Sequence, residues 1–353
     1  TTAPAAQQPA AEAPPEPGIP IADTTVQAAC APCHKADEKG VMSRISFRRN
    51  TPEGWEATIR RMVALNGLRI EPAAARHVVR YLSDHLGLAP EEVEPAAFEV
   101  ERRMIDFTYT ASRETEKVCS ACHSMGRVLL QRRTKEDWQM LIDMHRGWYP
   151  LVDFQAFRRA GPMQREPDAE GRPPDNRHPV EKALEHLTAT FPLQTPAWAA
   201  WSATMRPPKL EGAWAISGHE TGKGPVYGIM RIAQGASPSE FTTDLSFTYA
   251  RTGVSVARKG RANVYTGFQW RGRSTERADD ATSLREVMSV DREWQSMEGR
   301  WYTGGYDELG LDVQLRRVTG SPVILGAGRT GVPAGATGHE LRLFGADLPV
   351  TLT

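Results

Sequence analysis

Two five-residue segments carry the chemistry of this chain. Cys30-Ala31-Pro32-Cys33-His34 and Cys119-Ser120-Ala121-Cys122-His123 both read C-x-x-C-H. At this spacing two thiols bond a porphyrin edge and the next histidine ligates its iron. The two segments use all four cysteines of the sequence, so no thiol is left for a disulfide, a nucleophile or a separate metal site. The competing chemistry is a four-cysteine zinc site, since C-x-x-C pairs also bind zinc. Zinc does not require a histidine directly after each second cysteine, and both copies have one. The motifs therefore predict two covalently bound haem c groups on Cys30, Cys33, Cys119 and Cys122, with His34 and His123 as the first iron ligands.

The motifs open a longer repeat. Thr51, Glu53, Trp55 and Ile59 recur as Thr134, Glu136, Trp138 and Ile142 at a constant offset of 83. Each copy reads as a helix start, with threonine as N-cap and acidic residues in the first turn. Trp55, Ile59 and Met62 share one helical face, as do Trp138, Ile142 and His145. The last position is methionine in one copy and histidine in the other. These are the two usual sixth ligands of a c-type haem iron, so Met62 and His145 are the predicted distal ligands, and Trp55 and Trp138 are predicted to pack at the cofactor. The alternative is a core methionine and a satisfied, partly buried histidine. Met42 and Met125 lie too close in sequence to the proximal histidines to reach the opposite haem face. Met104 and Met144 have no counterpart in the other copy. His77 with His178, and His85 with His186, match at an offset of 101. They read as helix-surface or helix-end residues, and one pair as distal ligands is the main rival scheme.

The elements that position these residues follow from the surrounding texture. Residues 1–20 are rich in Ala, Pro, Gln and Glu and predict a disordered leader. Residues 21–197 predict an all-α tandem dihaem cytochrome c domain, with halves at about 21–95 and 96–197. Prolines at 192, 196, 207 and 208 mark its exit. From Lys209 on, short Val-, Ile-, Thr- and Tyr-rich segments alternate with glycine turns: 212–218, 226–232, 241–249, 253–257 and 264–270. This predicts an antiparallel β-barrel over 209–318. Leu210-Glu-Gly-Ala-Trp214 is echoed by Met297-Glu-Gly-Arg-Trp301, as opening and near-closing strands of one barrel. The barrel carries no catalytic constellation, and the lone His219 reads as a surface loop residue. Residues 319–353 predict a partial further β domain, the start of an immunoglobulin-like unit, with strands at 323–325, 340–344 and 350–352.

Composition narrows the function. The 353 residues carry 43 Lys plus Arg and 43 Asp plus Glu, so no basic excess points to nucleic acid or an anionic membrane. No apolar run is long enough to span a bilayer. Haem c is attached outside the bacterial inner membrane, which predicts a periplasmic location. An opening Thr1, without a charged n-region and apolar h-region, fits a chain already processed.

The order of parts resembles the large (alpha) subunit of quinohemoprotein amine dehydrogenase. The resemblance rests on Cys30 to His34 with Thr51-Pro-Glu-Gly-Trp55 and Arg61-Met62. It continues in Cys119 to His123 with Gln131-Arg-Arg-Thr134, Trp138 and His145, then the Gly-x-Trp barrel. It implies a dihaem cytochrome subunit that associates with a β-propeller subunit and a small subunit bearing cysteine tryptophylquinone. Primary amines would be oxidised at that quinone, and electrons would leave through the haems to a periplasmic acceptor such as a small cytochrome c or copper protein. The family's large subunit continues into further β domains. A cysteine tryptophylquinone needs a cysteine of its own and this chain has none to spare, so the substrate chemistry is expected on a partner. Two other classes compete: a dihaem peroxidase, which needs an iron with an open site, and a free-standing dihaem carrier with a β binding module.

Overall fold

The computed structural model describes residues 16–97, 109–159, 161–163, 165–167, 169, 171, 173–277, 283–303, 310–328, 331, 333–335, 337–338 and 341–349. Most of the predicted leader lies outside them. Its end does not hang free: Ile19 N donates to Ser46 O at 2.8 Å, and Glu16 accepts from Gln194 N at 2.7 Å.

Each haem motif begins on the last residue of a short helix. α1 (Thr24–Cys30) is capped by Asp23, whose Oδ1 accepts from Val26 N at 2.8 Å. β1 (Arg48–Asn50) then leads into α2 (Pro52–Asn66), where Thr51 caps Gly54 N and Pro52 fills the first turn. Gly67, at φ 70°, ends α2 in the left-handed region that glycine tolerates. α3 (Pro72–His85) closes the first repeat, followed by the short α4 (Pro90–Val93). The second repeat has the same order. It runs through α5 (Arg113–Cys119), α6 (Gly126–Leu129), β2 (Gln131–Arg133), α7 (Lys135–Trp148) capped by Thr134, α8 (Val152–Gln155) and α9 (Pro179–Thr190). α10 (Pro196–Thr204) leads out of it.

The tryptophans fix the packing of each repeat. Trp55 and Trp138 are both 1% exposed. Trp55 Nε1 donates to Leu86 O at 3.0 Å and Trp138 Nε1 to Phe191 O at 3.1 Å. These acceptors cap α3 and α9, so the closing helices correspond at an offset of 105. Val78 with Ala183, and Leu82 with Leu187, are buried at that same offset. The offset of 101 suggested by the histidines is wrong by four residues, close to one helical turn, which preserves the apolar stripe and hides the slip.

The helical region is not all-α. β1 and β2 pair antiparallel, with Arg48 opposite Arg133, Arg49 opposite Arg132 and Asn50 opposite Gln131. Arg49 and Arg132 are themselves repeat equivalents, so the pairing is symmetric about them. Three-residue strands are too short to show a period of two in sequence, and they pair because buried backbone groups need partners. The two guanidinia meet the buried Glu92. Arg49 reaches it at 2.7 and 2.8 Å, and Arg132 Nε lies 3.1 Å from Oε1. Leu88, Val93 and Ala96 join Met125, Trp138 and Leu187 in one core cluster, so the segment after α3 packs into the second repeat.

The β half is a closed eight-stranded antiparallel barrel in the order β10-β3-β4-β5-β6-β7-β8-β9. The strands are β3 (Gly212–Glu220), β4 (Gly224–Gln234), β5 (Glu240–Tyr249), β6 (Ser255–Tyr265), β7 (Gln269–Thr275), β8 (Leu284–Val290), β9 (Ser296–Tyr302) and β10 (Gly310–Arg317). Trp214, Trp270 and Trp301 fill the interior, each fully buried. This is a packed core rather than a channel. β3 and β9 flank β10, as the Gly-x-Trp echo predicts. Two expectations fail. Residues 264–270 are not one strand: Thr266 (φ 51°) and Gly267 (φ 75°) make the turn between β6 and β7. The helical half holds that turn, since Asp84 Oδ1 accepts from Thr266 N at 2.7 Å and Trp201 Nε1 donates to Thr266 O at 2.8 Å. Such contacts are not legible locally. His219 is exposed but lies within β3, opposite Asp312.

Beyond the barrel, β11 (Val323–Ala327) and β12 (Leu343–Ala346) form one antiparallel pair. Phe344 stacks on Tyr227 of β4 with ring centroids 5.1 Å apart. The described residues there make a two-stranded flap on the barrel, not an immunoglobulin-like sandwich, because two strands have no second sheet to pack on. The strand expected at 350–352 lies outside them.

One buried acid stands in the barrel core. Glu286 is 1% exposed and accepts from Trp270 Nε1 at 3.0 Å. A Cβ at Gly272 would lie 2.4 Å from its Oε2, so glycine makes the room. Burial pushes its carboxyl up from 4.5 to about 7, against the lowering effect of Trp270, Ser274 and Arg258. The folded protein thus holds this proton more tightly than the unfolded chain. The stability it contributes is full below pH 4.5 and is lost as pH rises through about 7. Glu286→Gln is expected to remove that loss, worth about 3 kcal/mol at pH 8 from about 1.36 kcal/mol per pKa unit. Urea unfolding of both proteins at pH 5 and pH 8 checks this, and parallel pH profiles would refute it.

Candidate haem sites

Both C-x-x-C-H segments start at a helix end, and in the first Cys33 N and His34 N both return to Cys30 O, at 3.1 and 2.8 Å, which turns the chain tightly at the motif. Cys30 is buried and Cys33 exposed; Cys119 is half-buried and Cys122 exposed, and no disulfide joins them. Burial pushes the Cys30 thiol up to about 11, with help from Cys33, and the Cys119 thiol up to about 12. Cys30 belongs to the first core cluster, and Cys119 packs against the clusters of the second repeat. Among the described residues no three His, Cys, Asp or Glu side chains form a metal-holding group.

Both proximal histidines are half-buried with one ring nitrogen engaged. His34 Nδ1 lies 3.0 Å from Ser43 O, and His123 Nδ1 lies 2.9 Å from Ser124 O. A carbonyl at Nδ1 fixes the tautomer and leaves Nε2 for a metal. Burial lowers the pKa of both rings, aided by Arg48 and Arg44 at His34 and by Arg127 and His145 at His123. Both rings are thus biased toward the neutral, ligating form.

His145 lies within electrostatic range of His123. His145 sits in the last turn of α7, with Nδ1 2.7 Å from Leu141 O. Tyr149 and Phe157 flank it, with ring centroids at 6.2 and 6.3 Å. Met62 is half-buried near the end of α2. Its neighbour Arg61 is in electrostatic reach of Arg44, which also acts on His34. Trp55 and Trp138 each lie seven residues, about two turns, before Met62 and His145 in α2 and α7.

Several of the rival ligands are otherwise engaged. Met42 and Met125 are fully buried in apolar clusters. His77 Nε2 lies 2.9 Å from Asp23 Oδ2. His85 packs on Tyr81 at 4.2 Å between ring centroids. His178 caps α9, and His186 Nε2 lies 2.7 Å from Tyr109 OH. Met144 is half-buried, and Met104 lies outside the described residues. A cleft of about 1180 Å³ opens between α2–α3 and β6–β8, and none of the motif residues lines it.

Sequence reasoning missed the arginines around these sites. Arg48 stacks over Trp55 at 5.1 Å, Arg133 over Trp138 at 5.5 Å and Arg61 over Trp148 at 5.4 Å. Burial, then Arg133, Arg61 and Arg44, push Arg48 down to about 9 despite Asp137. The signal was present in Arg48-Arg49-Asn50-Thr51 and Gln131-Arg132-Arg133-Thr134.

Two C-x-x-C-H segments at helix ends, on a helical repeat joined to a closed β-barrel, have the make-up of a haem-binding protein. Residues 21–163 match the haem-binding domain of the quinohemoprotein amine dehydrogenase alpha subunit, and residues 207–318 match domain II of that subunit. The chain belongs to this family, a subunit of a multi-subunit amine dehydrogenase. No curated protein matches it. Among solved structures, a redesigned β-barrel is 18% identical, with a TM-score of 0.27, covering 31% of this chain and 92% of its own. A de novo designed fluorescence-activating β-barrel is 18% identical, with a TM-score of 0.25, covering 31% and 93%. No helix among the described residues is long and apolar enough to cross a membrane.

Proposed function

We propose that this chain is the electron-transfer subunit of a periplasmic amine dehydrogenase and holds two haem c groups. Cys30, Cys33, Cys119 and Cys122 bond the porphyrin edges, His34 and His123 are the proximal ligands, and Met62 and His145 are the distal ones. The supporting observation is the placement of His145 within electrostatic reach of His123, each ring with Nδ1 held by a backbone carbonyl. Two imidazoles with Nδ1 engaged by backbone carbonyls leave Nε2 for bis-histidine ligation. Haems held by these residues would supply one-electron transfer between a reduced quinone on a partner subunit and an external acceptor.

The chain's own residues set the direction. Methionine favours the reduced iron relative to a second histidine, so the Met62 side has the higher potential and the His145 side the lower. With haems held at both segments, transfer from the second repeat to the first would be downhill. A redox titration of Met62→Ala and His145→Ala proteins assigns the two potentials, and a lower potential at the Met62 side would reverse the route. The partners in this reading are a β-propeller subunit and a small subunit bearing cysteine tryptophylquinone, with a small cytochrome c or copper protein as acceptor.

Anaerobic addition of a primary amine to protein purified with its native partners tests the function. Amine-dependent change in haem absorption supports it. No change, in a sample that dithionite still reduces, removes the dehydrogenase role. Rapid cyanide binding by the resting protein would instead mark an open iron and a peroxidase.

A further inference from the structure

We propose that Arg48 and Arg61, with Arg44 beside them, form an anion site at the junction of the two repeats, and that its ligand is the carboxylate pair of the haem attached at Cys30–His34. The inference rests on the haem reading of that segment and adds the group that seats and tunes the cofactor.

The Nε atoms of Arg48 and Arg61 are buried and make no hydrogen bond, and among the described residues neither guanidinium has an ion pair. Arg48 stands directly opposite Arg133 in the β1–β2 pair. Like charges at that position repel. The nearby carboxylate, Asp137, is taken by Arg133, whose remaining nitrogens bond Gln131 Oε1 at 3.0 and 2.7 Å. The cluster therefore carries more positive charge than its own side chains answer. Both side chains are half-buried, and a buried guanidinium Nε without a partner is costly, so a site built this way implies an anion.

The anion's class follows from geometry. Arg48 lies over the Trp55 ring at 5.1 Å and Arg61 over the Trp148 ring at 5.4 Å, so both guanidinia are positioned while their Nε donors stay unpartnered. Guanidinium forks match carboxylates in pairs. Arg44 has φ 68° and follows Ser43, whose carbonyl holds His34 Nδ1 at 3.0 Å. The positive cluster thus adjoins the proximal imidazole of the first segment, and a haem attached there carries two carboxylates on its porphyrin edge. Cationic groups beside the cofactor favour the less positive, reduced iron.

Spectroelectrochemical titration of the purified holoprotein tests this. Arg48→Gln and Arg61→Gln are each expected to weaken reduction of one haem about tenfold, a fall of about 59 mV for one electron. The propionate-bending band in the resonance Raman spectrum is expected to shift with them. Arg48→Lys, which keeps the charge, restores most of the potential. Arg60→Gln is the control: this side chain is 75% exposed and paired with Glu56, and its loss moves neither haem. Unchanged potentials and an unchanged band in both glutamine variants overturn the proposal while leaving the haem reading intact. A wild-type protein that takes up no haem at the first motif overturns both. The two arginines sit on different elements, so misfolding of one variant leaves the other to decide.

Discussion

A His145→Ala protein is expected to lose the low-spin signature of one of its two haems and to gain cyanide binding at that iron. His145 is held in the last turn of α7 by its bond to Leu141 O and by Tyr149 and Phe157, next to a His123 whose Nδ1 is already committed. No other described histidine is comparably placed: His178 caps a helix and His186 pairs with Tyr109. Met62→Ala is expected to do the same to the other haem. Met62→His is expected to keep that haem low-spin and lower its potential by roughly 100 mV, well inside the roughly 0.8 V that axial ligation spans. Optical and paramagnetic resonance spectra of the three proteins decide it. A resting spectrum unchanged in His145→Ala would return the rival histidines to contention.

Glu92→Ala is expected to cost the helical half about 3–5 kcal/mol, the usual effect of removing one partner from a buried ion pair. Its carboxylate is 5% exposed and sits between Arg49, which is fully buried, and Arg132. Those two residues face each other in the β1–β2 ladder. Ala89 N at 2.9 Å and Thr195 Oγ1 at 2.8 Å complete the shell. Without the acid, two guanidinia confront each other in the interior. A stability of about 5–15 kcal/mol for a whole domain puts the loss in scale. The exposed pair Arg60–Glu56 is the contrast, where Glu56→Ala is expected to cost no more than about 0.5 kcal/mol. The acid limb gives a second signature. Burial alone would raise the Glu92 carboxyl, but the bonds and charge of Arg49 and the charge of Arg132 hold it below its ordinary 4.5. Its contribution is therefore present above pH 4.5 and is lost as pH falls through the lower, folded value. Glu92→Gln is expected to flatten that limb. Urea unfolding followed by tryptophan fluorescence reads both effects. A cost for Glu92→Ala as small as that for Glu56→Ala would show that the ribbon does not hold the repeats together.

The amino-acid sequence by itself determined what depends on neighbours within a turn or two. The C-x-x-C-H motifs, the Thr caps of α2 and α7, and the face shared by Trp55, Ile59 and Met62 are local. The alternating strands that bury Trp214 and Trp301 are local too. Helix capping and periodicity act over three or four residues, so both are legible without a partner. The family resemblance rested on the same residues and agrees with the matched segments 21–163 and 207–318. Tertiary structure decided everything that needed a distant partner. The true offset of 105 between α3 and α9 depends on which carbonyl meets each tryptophan. The β1–β2 ribbon exists because two three-residue segments 83 positions apart satisfy each other. Thr266 turns because Asp84 and Trp201 hold it. The unanswered charge of Arg48 and Arg61 likewise emerges only when both repeats fold against one another, because single arginines in sequence carry no sign of which acids will fail to reach them.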